Sequence, residues 1–295
     1  MDTDDTGERV PRRGVRARRT AAWMLGARRG PRQQGALRDA VEGRTVVVTG
    51  ASDGIGAQVA RDLGEAGATV VLVARRRELL EGVAEEIRGA GGTALVHVAD
   101  LADLDDVERV AADILGQVGH VDVLVNNAGR SIRRRVVDTV DRFHDVQRVM
   151  QLNYFGAVRL TLALLPAMLE RGRGHVVQVS TLGTLAHPPY FSAYLASKAA
   201  LEEYGRVMAH ELRDRGISVS VVHLPLVRTA MIAPTEQFAD MRAFSPRQGA
   251  AFVTRAIASR PVSIDLGVRA AVGVVDAVAP RMIERAWLWA RGRRS

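Results

Sequence analysis

Short runs of apolar residues alternate with longer amphipathic stretches over most of the chain. The first run, Thr45–Thr49, reads Thr-Val-Val-Val-Thr and is followed by glycine, which is typical of a buried strand. Similar runs predict strands at residues 69–74, 93–99, 121–125, 175–179, 217–224 and, more briefly, 262–265. The stretches between them predict helices at residues 55–66, 77–88, 105–116, 141–171, 193–215 and 246–259.

This alternation of strands and helices predicts an α/β fold, a Rossmann-type doubly wound parallel sheet with helices on both faces. The predicted strands are apolar almost throughout, as parallel strands buried on both faces are. We expect a single domain of this fold at residues 44–267. A basic, disordered N-terminal arm would precede it at residues 1–43, and a basic helical tail would follow it at residues 268–295.

The charge of the chain is concentrated at its two ends. The formal net charge is +8 over 295 residues, and residues 1–43 and 281–295 each contribute +4, so the middle is neutral. We therefore expect no specific nucleic-acid partner, but the basic ends could make a peripheral membrane contact. The absence of cysteine excludes disulfides and thiolate metal sites. We predict no metal site, and a cytoplasmic location that extends at most to the membrane surface.

The pair Tyr194 and Lys198 is the strongest candidate for chemistry. Their spacing of four residues places both side chains on one face of a helix. Lys198 is the only lysine of the chain, which otherwise uses arginine for positive charge. An ammonium beside a phenol would favour the phenolate and lower the phenol pKa. The alternative is an exposed aromatic residue beside a surface lysine.

A glycine-rich turn follows the first strand and opens the first helix of the predicted domain. It carries Gly50, Gly54 and Gly56 in the pattern G-x-x-x-G-x-G, rather than G-x-G-x-x-G. Glycines at such a turn let the backbone approach a pyrophosphate, and the free N–H groups of the helix end bind it. The turn therefore predicts a dinucleotide site.

The end of the second strand favours NADP(H) over NAD(H) as the cofactor. An acidic residue there would bind a ribose 2′-hydroxyl, but the sequence has Arg75 and Arg76 followed by Arg77. Guanidinium groups can bind a 2′-phosphate bidentately. The alternative is a solvated start of a helix.

Two further segments indicate the substrate. Arg133–Arg135 would be either a solvated charge run or a contact for the phosphates of a substrate tail. The loop at residues 230–244 is rich in apolar side chains and predicts a hydrophobic small-molecule substrate. Its apolar members are Met231, Ile232, Pro234, Phe238, Met241 and Phe244.

Taken together, the motifs resemble those of the short-chain dehydrogenase/reductase family over residues 44–265. The resemblance rests on the glycine-rich turn, Asn126-Asn127-Ala128-Gly129, Asn153, Ser180-Thr181 and Tyr194-x-x-x-Lys198 in family order. Asn126–Arg133, Asp141–Asp145, Leu152–Gly156 and Pro225–Pro234 are also similar to the reductase domains of bacterial fatty acyl-CoA reductases. One departure is Pro225-Leu226, where the family usually has Pro-Gly.

The resemblance implies roles for individual residues. Tyr194 would be the general acid, Lys198 would tune it and bind the nicotinamide ribose, and Asn153 would hold a relay water. The hydroxyl that orients the carbonyl would be Thr181 by its distance from the tyrosine, or Ser180 by its distance from the following glycine. The cofactor would be bound by Tyr194 and Lys198 together with Gly50, Ser52, Asp53, Gly54, Ile55, Gly56, Arg75, Arg76, Asp100, Leu101, Asn127, Ala128, Gly129, Pro225, Val227 and Thr229.

The implied activity is NADP(H)-dependent hydride transfer to or from a hydrophobic carbonyl or alcohol. A long-chain acyl-CoA or fatty aldehyde is the favoured substrate, and a hydroxysteroid or other ketone is the alternative. A hypothesis of another class is a cofactor-binding regulator, or a membrane- or nucleic-acid-associated module that uses its basic tails. Family members commonly pair through long helices, so a homodimer or homotetramer is expected through residues 141–171 and 193–215.

Overall fold

The computed structural model describes residues 31–233, 238 and 241–279, and its core is one parallel sheet of seven strands. The strand order is β3-β2-β1-β4-β5-β6-β7, and the order reverses direction between β1 and β4. The strands are β1 (Thr45–Thr49), β2 (Thr69–Ala74), β3 (Thr93–Val98), β4 (Val123–Asn126), β5 (Gly174–Thr181), β6 (Ile217–Leu224) and β7 (Ser263–Ile264). The predicted doubly wound Rossmann-type sheet is therefore confirmed.

Helices cover both faces of the sheet. The described helices are α1 (Pro31–Val41), α2 (Gly54–Glu65), α3 (Arg77–Gly89), α4 (Leu104–Val118), α5 (Phe143–Met150), α6 (Ala157–Glu170), α7 (Gly183–Ala186), α8 (Ser192–Glu211), α9 (Pro246–Ser259) and α10 (Val268–Val278). Short 3₁₀ turns lie at Val136–Thr139 and Arg213–Arg215. One apolar core joins the sheet to α1, α2, α3 and α9, and the other joins it to α4, α6 and α8.

The central strands are buried on both sides, which explains their unbroken apolar sequence. Val46 and Val48 of β1 face the first core and Val47 faces the second, and all three are fully buried. Successive side chains of a strand point to opposite faces, so a strand between two helical layers needs an apolar residue at every position. All the strand pairs are parallel, so their carboxyl ends share one edge of the sheet.

The last part of the predicted N-terminal arm is a helix that folds onto the domain. Pro31–Val41 forms α1, and Leu37 and Val41 are buried in the first core. Their spacing of four residues places them on one face of the helix, where they pack near α9 and α2. The rest of the predicted arm, and the residues after Ala279 with Trp287 and Trp289, lie outside the described residues.

The predicted helix at 141–171 is present as one helix, but it contains a π-helical turn. Helices α5 and α6 are continuous through Gln151–Gly156, which has π-helical hydrogen bonding. A Cβ atom on Gly156 would lie 1.9 Å from the carbonyl oxygen of Leu101, so this turn packs directly on the backbone after β3. Among the described helices, Phe143–Glu170 alone is long and apolar enough to cross a membrane by length and composition. Its residues Leu160 and Leu164 are fully buried in the second core.

Replacing Gly156 by alanine is expected to destabilise the protein by about 1–3 kcal/mol, because the new methyl group meets a backbone carbonyl that cannot move aside cheaply. The matched control is Gly35→Ala in α1, where a Cβ atom would meet nothing within 4 Å. This control should be neutral or stabilise the protein by up to about 1 kcal/mol. Urea unfolding followed by circular dichroism measures both values, and equal effects of the two substitutions would contradict the close contact at Gly156.

Candidate active site

A cavity of about 1030 Å³ lies at the carboxyl edge of the sheet. It extends from the end of β2 to the end of β6 and is closed on one side by α8. The residues that were predicted from the sequence and that line it are Gly50, Ser52, Asp53, Ile55, Arg75, Arg76, Asp100, Leu101, Asn127, Ala128, Gly129, Ser180, Thr181, Tyr194, Lys198, Pro225, Val227 and Thr229. Three predicted residues, Gly54, Gly56 and Asn153, are not among the lining residues.

The glycine-rich turn presents backbone to this cavity. Gly50 and Gly54 have positive φ angles of 65° and 59°, which favour glycine. A Cβ atom on Gly56 would lie 2.2 Å from the carbonyl oxygen of Gly50, so the start of α2 packs directly on the turn. Asp53 caps α2 by accepting a hydrogen bond of 2.6 Å from the N–H of Gly54. Gly54 and Gly56 therefore shape the cradle without lining it.

Hydrogen bonds from β1 fix the segment that follows β4. The hydroxyl of Thr49 accepts hydrogen bonds from the N–H groups of Asn127 (2.9 Å) and Ala128 (3.0 Å). The side-chain amide of Asn127 donates to the carbonyl oxygen of Thr49 at 2.9 Å. Behind it, the buried amide of Asn126 donates to the hydroxyl of Thr161 at 2.9 Å. The Asn-Asn-Ala-Gly segment is thereby held in one position at the floor of the cavity.

Arginines surround the end of the cavity at β2. Arg76 donates to the hydroxyl of Ser52 at 3.1 Å and lies 4.0 Å from the carboxylate of Asp53, while Arg75 lies 3.6 Å from the carboxylate of Asp100. Both guanidinium groups are more than half exposed, so these ion pairs are weak and can exchange for a phosphate. The sequence reasoning did not anticipate that Asp53 would lie beside Arg76.

Arg130 is a further cationic lining residue that sequence reasoning missed. Burial, followed by repulsion from Arg148 and Arg75, lowers its pKa, while Asp100 acts in the opposite direction. The available signal was its position directly after the Asn-Ala-Gly segment. Together with Arg75 and Arg76, it makes this end of the cavity attractive to an anionic ligand.

Lys198 is a buried cation at the centre of the site. Its side chain is 4% exposed and donates a hydrogen bond of 2.8 Å to the carbonyl oxygen of Val179 in β5. Burial lowers the pKa of Lys198 to about 8, while the nearby carboxylate of Glu202 acts in the opposite direction. Burial in the protein therefore makes this ammonium group easier to deprotonate than an ordinary lysine.

The phenol of Tyr194 has its pKa shifted in the direction opposite to that predicted. Burial raises the pKa of Tyr194 to about 12, although a hydrogen bond with Thr181 acts in the opposite direction. Glu202 adds a further upward shift. The predicted downward effect of Lys198 is not among the causes of this shift, and Tyr194, like an ordinary phenol, is protonated at neutral pH.

The two candidate hydroxyls at the end of β5 point in different directions. Thr181 contacts Tyr194 and also accepts a hydrogen bond of 3.1 Å from the N–H of Gly183. Ser180 is buried and donates its hydroxyl to the carboxylate of Glu202. Adjacent residues of a strand face opposite sides, so only one of the two can meet the phenol. The structure places Thr181 beside the phenol, while Ser180, which also lines the cavity, is bonded to Glu202; this geometry favours Thr181 of the two predicted hydroxyls.

Asn153 connects the segment after β4 to α8 through hydrogen bonds. It is fully buried in the π-helical turn, accepts from the N–H of Arg130 at 2.8 Å and donates to the Arg130 carbonyl at 2.9 Å. It also donates to the hydroxyl of Ser197 in α8 at 2.9 Å. A Cβ atom on Gly129 would lie 3.4 Å from both the Asn153 side-chain oxygen and the Lys198 ammonium. Asn153 therefore fixes the distance between the β4 segment and α8.

A buried carboxylate network lies below the catalytic pair and was not predicted. Glu202, one helical turn after Lys198, accepts hydrogen bonds from Ser180 and from the hydroxyl of Thr184, the latter at 2.7 Å. The same carboxylate lies 3.1 Å from His223 and 3.0 Å from Arg206. Hydrogen bonds and positive charge outweigh burial and lower the pKa of Glu202. In the sequence, this glutamate could not be distinguished from one on a solvated helix face.

The other end of the cavity is apolar. Met231, Ile232 and Met241 line it, and the rings of Phe191 and Phe238 stack at 5.9 Å. This agrees with the apolar loop predicted from the sequence, of which Pro234 lies outside the described residues.

The predicted arginine run 133–135 divides between the cavity and the surface. Arg133 lines the cavity and stacks on the ring of Tyr190 at 4.4 Å. Arg134 pairs with Asp145 at 3.2 Å, and Arg135 pairs with Asp138 at 2.7 Å. Of the three, Arg133 is therefore the one placed to meet a ligand in the cavity.

A parallel α/β sheet with a glycine-rich turn and a Tyr–Lys–Thr cluster at its carboxyl edge defines a dinucleotide-dependent oxidoreductase. The family model described as short chain dehydrogenase matches residues 44–240. The chain therefore belongs to the short-chain dehydrogenase family, whose members use nicotinamide cofactors.

Individual relatives agree with this assignment. The chain is 45% identical over 244 residues to a fatty acyl-CoA reductase of Acinetobacter baylyi, which covers 83% of each chain. It is 42% identical over 242 residues to a fatty acyl-CoA reductase of Mycobacterium tuberculosis, covering 82% of each. A solved metagenomic short-chain oxidoreductase in complex with NADP is 34% identical, with a TM-score of 0.65 over 76% of this chain and 97% of that chain. The predicted resemblance to fatty acyl-CoA reductases is confirmed.

Thr181→Ala is expected to lower kcat by about 10²–10³-fold, because it removes the hydroxyl that contacts Tyr194 and would stabilise charge on the substrate oxygen. Thr181→Ser keeps the hydroxyl and should retain most activity. Ser180→Ala should instead lower the free energy of unfolding by about 1–3 kcal/mol, since it removes a donor to a buried carboxylate. Steady-state kinetics and urea unfolding of the three variants give these values, and the reverse pattern would return the catalytic role to Ser180.

Proposed function

We propose that the protein is an NADP(H)-dependent reductase of long-chain acyl-CoA or fatty aldehyde carbonyls. The observation that carries this proposal is the position of Tyr194, Thr181 and Lys198. They lie between a cationic end of one cavity and an apolar end of the same cavity. The first end suits a phosphorylated dinucleotide, and the second suits an alkyl chain. The named activities of the two bacterial relatives support the same substrate class.

The cradle fits a dinucleotide because its surface is backbone where phosphates would approach. The start of α2 offers backbone N–H groups, and glycine at 50 and 56 lets the turn pack closely against the segment after β4. Asp100, Leu101 and Ala128 would enclose the adenosine half, and Pro225, Val227 and Thr229 the nicotinamide half. The bound cofactor would supply the hydride to the carbonyl carbon. An aldehyde would thereby become an alcohol, whereas a thioester would give an aldehyde once its C–S bond breaks and coenzyme A leaves as the thiol.

Side chains of the protein donate the proton to the substrate oxygen and stabilise the negative charge that develops on it. A phenol with an ordinary pKa near 10 already carries its proton at neutral pH, and burial raises the pKa of Tyr194 further, to about 12. Tyr194 therefore acts as the general acid that protonates the substrate oxygen. The hydroxyl of Thr181 orients the same oxygen and stabilises its negative charge. The ammonium of Lys198 provides positive charge below the site and favours phenolate once the proton has left.

The preference for NADP(H) is proposed from the arginines at the end of β2. Arg75 and Arg76 line the cavity and pair only with exposed carboxylates, which a 2′-phosphate can replace. No carboxylate follows β2 directly at these positions to accept a ribose 2′-hydroxyl. The NADP complex of the metagenomic relative supports this preference.

A homodimer or homotetramer is proposed through the helices of the second core. Large apolar residues remain exposed on α6 and the π-helical turn before it, namely Phe155 (47%), Leu162 (45%) and Leu169 (36%). Val207 on the neighbouring α8 is 47% exposed. A partner subunit that covers these side chains would remove the apolar surface from water.

A series of acyl-CoA thioesters of increasing chain length tests the proposed substrate in an NADPH-oxidation assay. The KM should fall as the chain lengthens until the apolar end is filled, because each buried methylene contributes about 0.8 kcal/mol. Fatty aldehydes should follow the same trend. A preference for small charged sugars, or for steroids over every acyl substrate, would contradict the proposal.

Tyr194→Phe is the control for the chemistry in that assay. It should lower turnover by about 10²–10⁴-fold, because the general acid is lost while the ring and the cavity remain. NADPH binding, measured by the change in its fluorescence, should be retained. Full turnover of this variant would contradict the assigned role even if the substrate were correct.

Replacing Arg75 and Arg76 together by glutamine should raise the KM for NADPH at least about tenfold and leave the KM for NADH nearly unchanged, since the lost charge-assisted contacts involve only the 2′-phosphate. The matched control is Arg77→Gln, because Arg77 pairs with Glu81 at 3.9 Å and is not among the cavity-lining residues. Equal losses with both cofactors would show that the arginines serve stability rather than cofactor preference.

A further inference from the structure

The segment before α5 exposes an unusual amount of apolar surface. Val136, Val137, Val140 and Phe143 lie within eight residues and are 69%, 69%, 79% and 66% exposed. We call these four residues the 136–143 patch. Single exposed apolar residues need no explanation, but a contiguous group marks a surface that binds something.

Positive charge surrounds the patch. Residues 134–148, the part of this segment that does not line the cavity, contain four arginines and three aspartates and carry a net charge of +1 with histidine neutral. Arg135, Arg142 and Arg148 keep 63%, 42% and 57% of their side chains exposed although each lies near an aspartate. Of those aspartates, Asp145 is buried, and Asp138 is 41% exposed beside Arg135. An apolar centre with a basic rim is the pattern of a protein surface that binds anionic lipid.

The patch is connected to the mouth of the cavity. Arg133 lines the cavity and stacks on Tyr190, which also lines it. The N–H of Arg134 donates to the carbonyl oxygen of Tyr190 at 2.7 Å, and the 3₁₀ turn with Val136 and Val137 begins two residues later. The patch and the entrance therefore belong to one continuous part of the surface.

We propose that the 136–143 patch docks on an anionic lipid bilayer and presents the cavity mouth to it. Valine and phenylalanine side chains enter the boundary between headgroups and acyl chains, and the arginines bind lipid phosphates. This contact is separate from any contact made by the two basic ends of the chain. It goes beyond the proposed function and does not depend on the acyl-CoA assignment, because binding is measured without substrate.

A second copy of the chain fits the patch less well. In a two-fold symmetric contact the patch would face itself, and the exposed Arg135, Arg142 and Arg148 of one copy would approach those of the other and repel them. The exposed apolar residues proposed for subunit contact, Phe155, Leu162 and Leu169, continue along the helix beyond this charged segment. Charge complementarity therefore favours the bilayer surface as the partner.

Co-sedimentation of the full chain with vesicles tests the proposal. The probes are vesicles of phosphatidylcholine alone and of phosphatidylcholine mixed with phosphatidylglycerol. We expect the unaltered protein to bind the mixed vesicles and to bind the neutral ones weakly. The variant Val137→Ser/Val140→Ser should lower the partition coefficient for the mixed vesicles at least about tenfold, because it removes two exposed apolar anchors without a change in charge. Thermal unfolding and NADPH binding should match those of the unaltered protein, which shows that the variant is folded.

The matched control is Val274→Ser/Val278→Ser in α10, where the two valines are 64% and 81% exposed. This variant should bind the mixed vesicles within about twofold of the unaltered protein. The proposal is overturned if the patch variant keeps full binding, since the ends of the chain would then carry the contact. It is also overturned if the unaltered protein does not bind, or if the patch variant changes the oligomeric state in size-exclusion chromatography, which would make the patch a subunit contact.

Discussion

The burial of one ammonium group is the constraint around which the site is built. Lys198 is almost completely removed from water, and an isolated buried charge is strongly unfavourable. The protein offsets this cost with the carbonyl oxygen of Val179 and the carboxylate of Glu202. A less buried lysine would be easier to accommodate, but its charge would be screened by solvent and would act less on a phenolate.

The same carboxylate determines how the catalytic elements fit together. Glu202 on α8 accepts hydrogen bonds from Ser180 and Thr184, so it connects the helix that carries Tyr194 to the strand end that carries Thr181. Asn153 makes the corresponding connection between α8 and the segment after β4. Buried polar bonds between rigid elements hold the reactive groups in place more tightly than loops could. The polar residues below the site thus position groups that they do not touch.

Local sequence was sufficient for the regular elements and for most of the cavity wall. Strands β2 and β6 and helix α9 begin and end at the predicted residues, since their apolar periods are bounded by clear turn residues. Helix α1 was missed because its stability comes from packing on a distant part of the chain rather than from its own sequence. The glycines, arginines and asparagines at strand ends were found because parallel strands bring their carboxyl ends together.

Other features required three-dimensional information. Ser180 and Thr181 are adjacent in β5 and face opposite sides, and sequence spacing could not decide which of the two lies beside Tyr194. The upward shift of the Tyr194 pKa comes first from burial of the phenol, which the spacing of Tyr194 and Lys198 in the sequence does not reveal. Glu202 has the sequence context of a surface residue and becomes recognisable only when His223 and Ser180 lie against it.

The π-helical turn at Gln151–Gly156 has a consequence for how this helix can vary in length. A π-helical turn closes with i→i+5 hydrogen bonds, so it holds about one residue more than an α-helical turn while the helix on either side keeps its facing. Leu160 and Leu164 therefore stay in the second core, and the additional residue is used to aim Asn153 at Arg130 and Ser197. Removing one residue from the turn would let it close as an ordinary α-helix, so the change would fall on the hydrogen bonds of Asn153 rather than on the packing of α6 against the sheet.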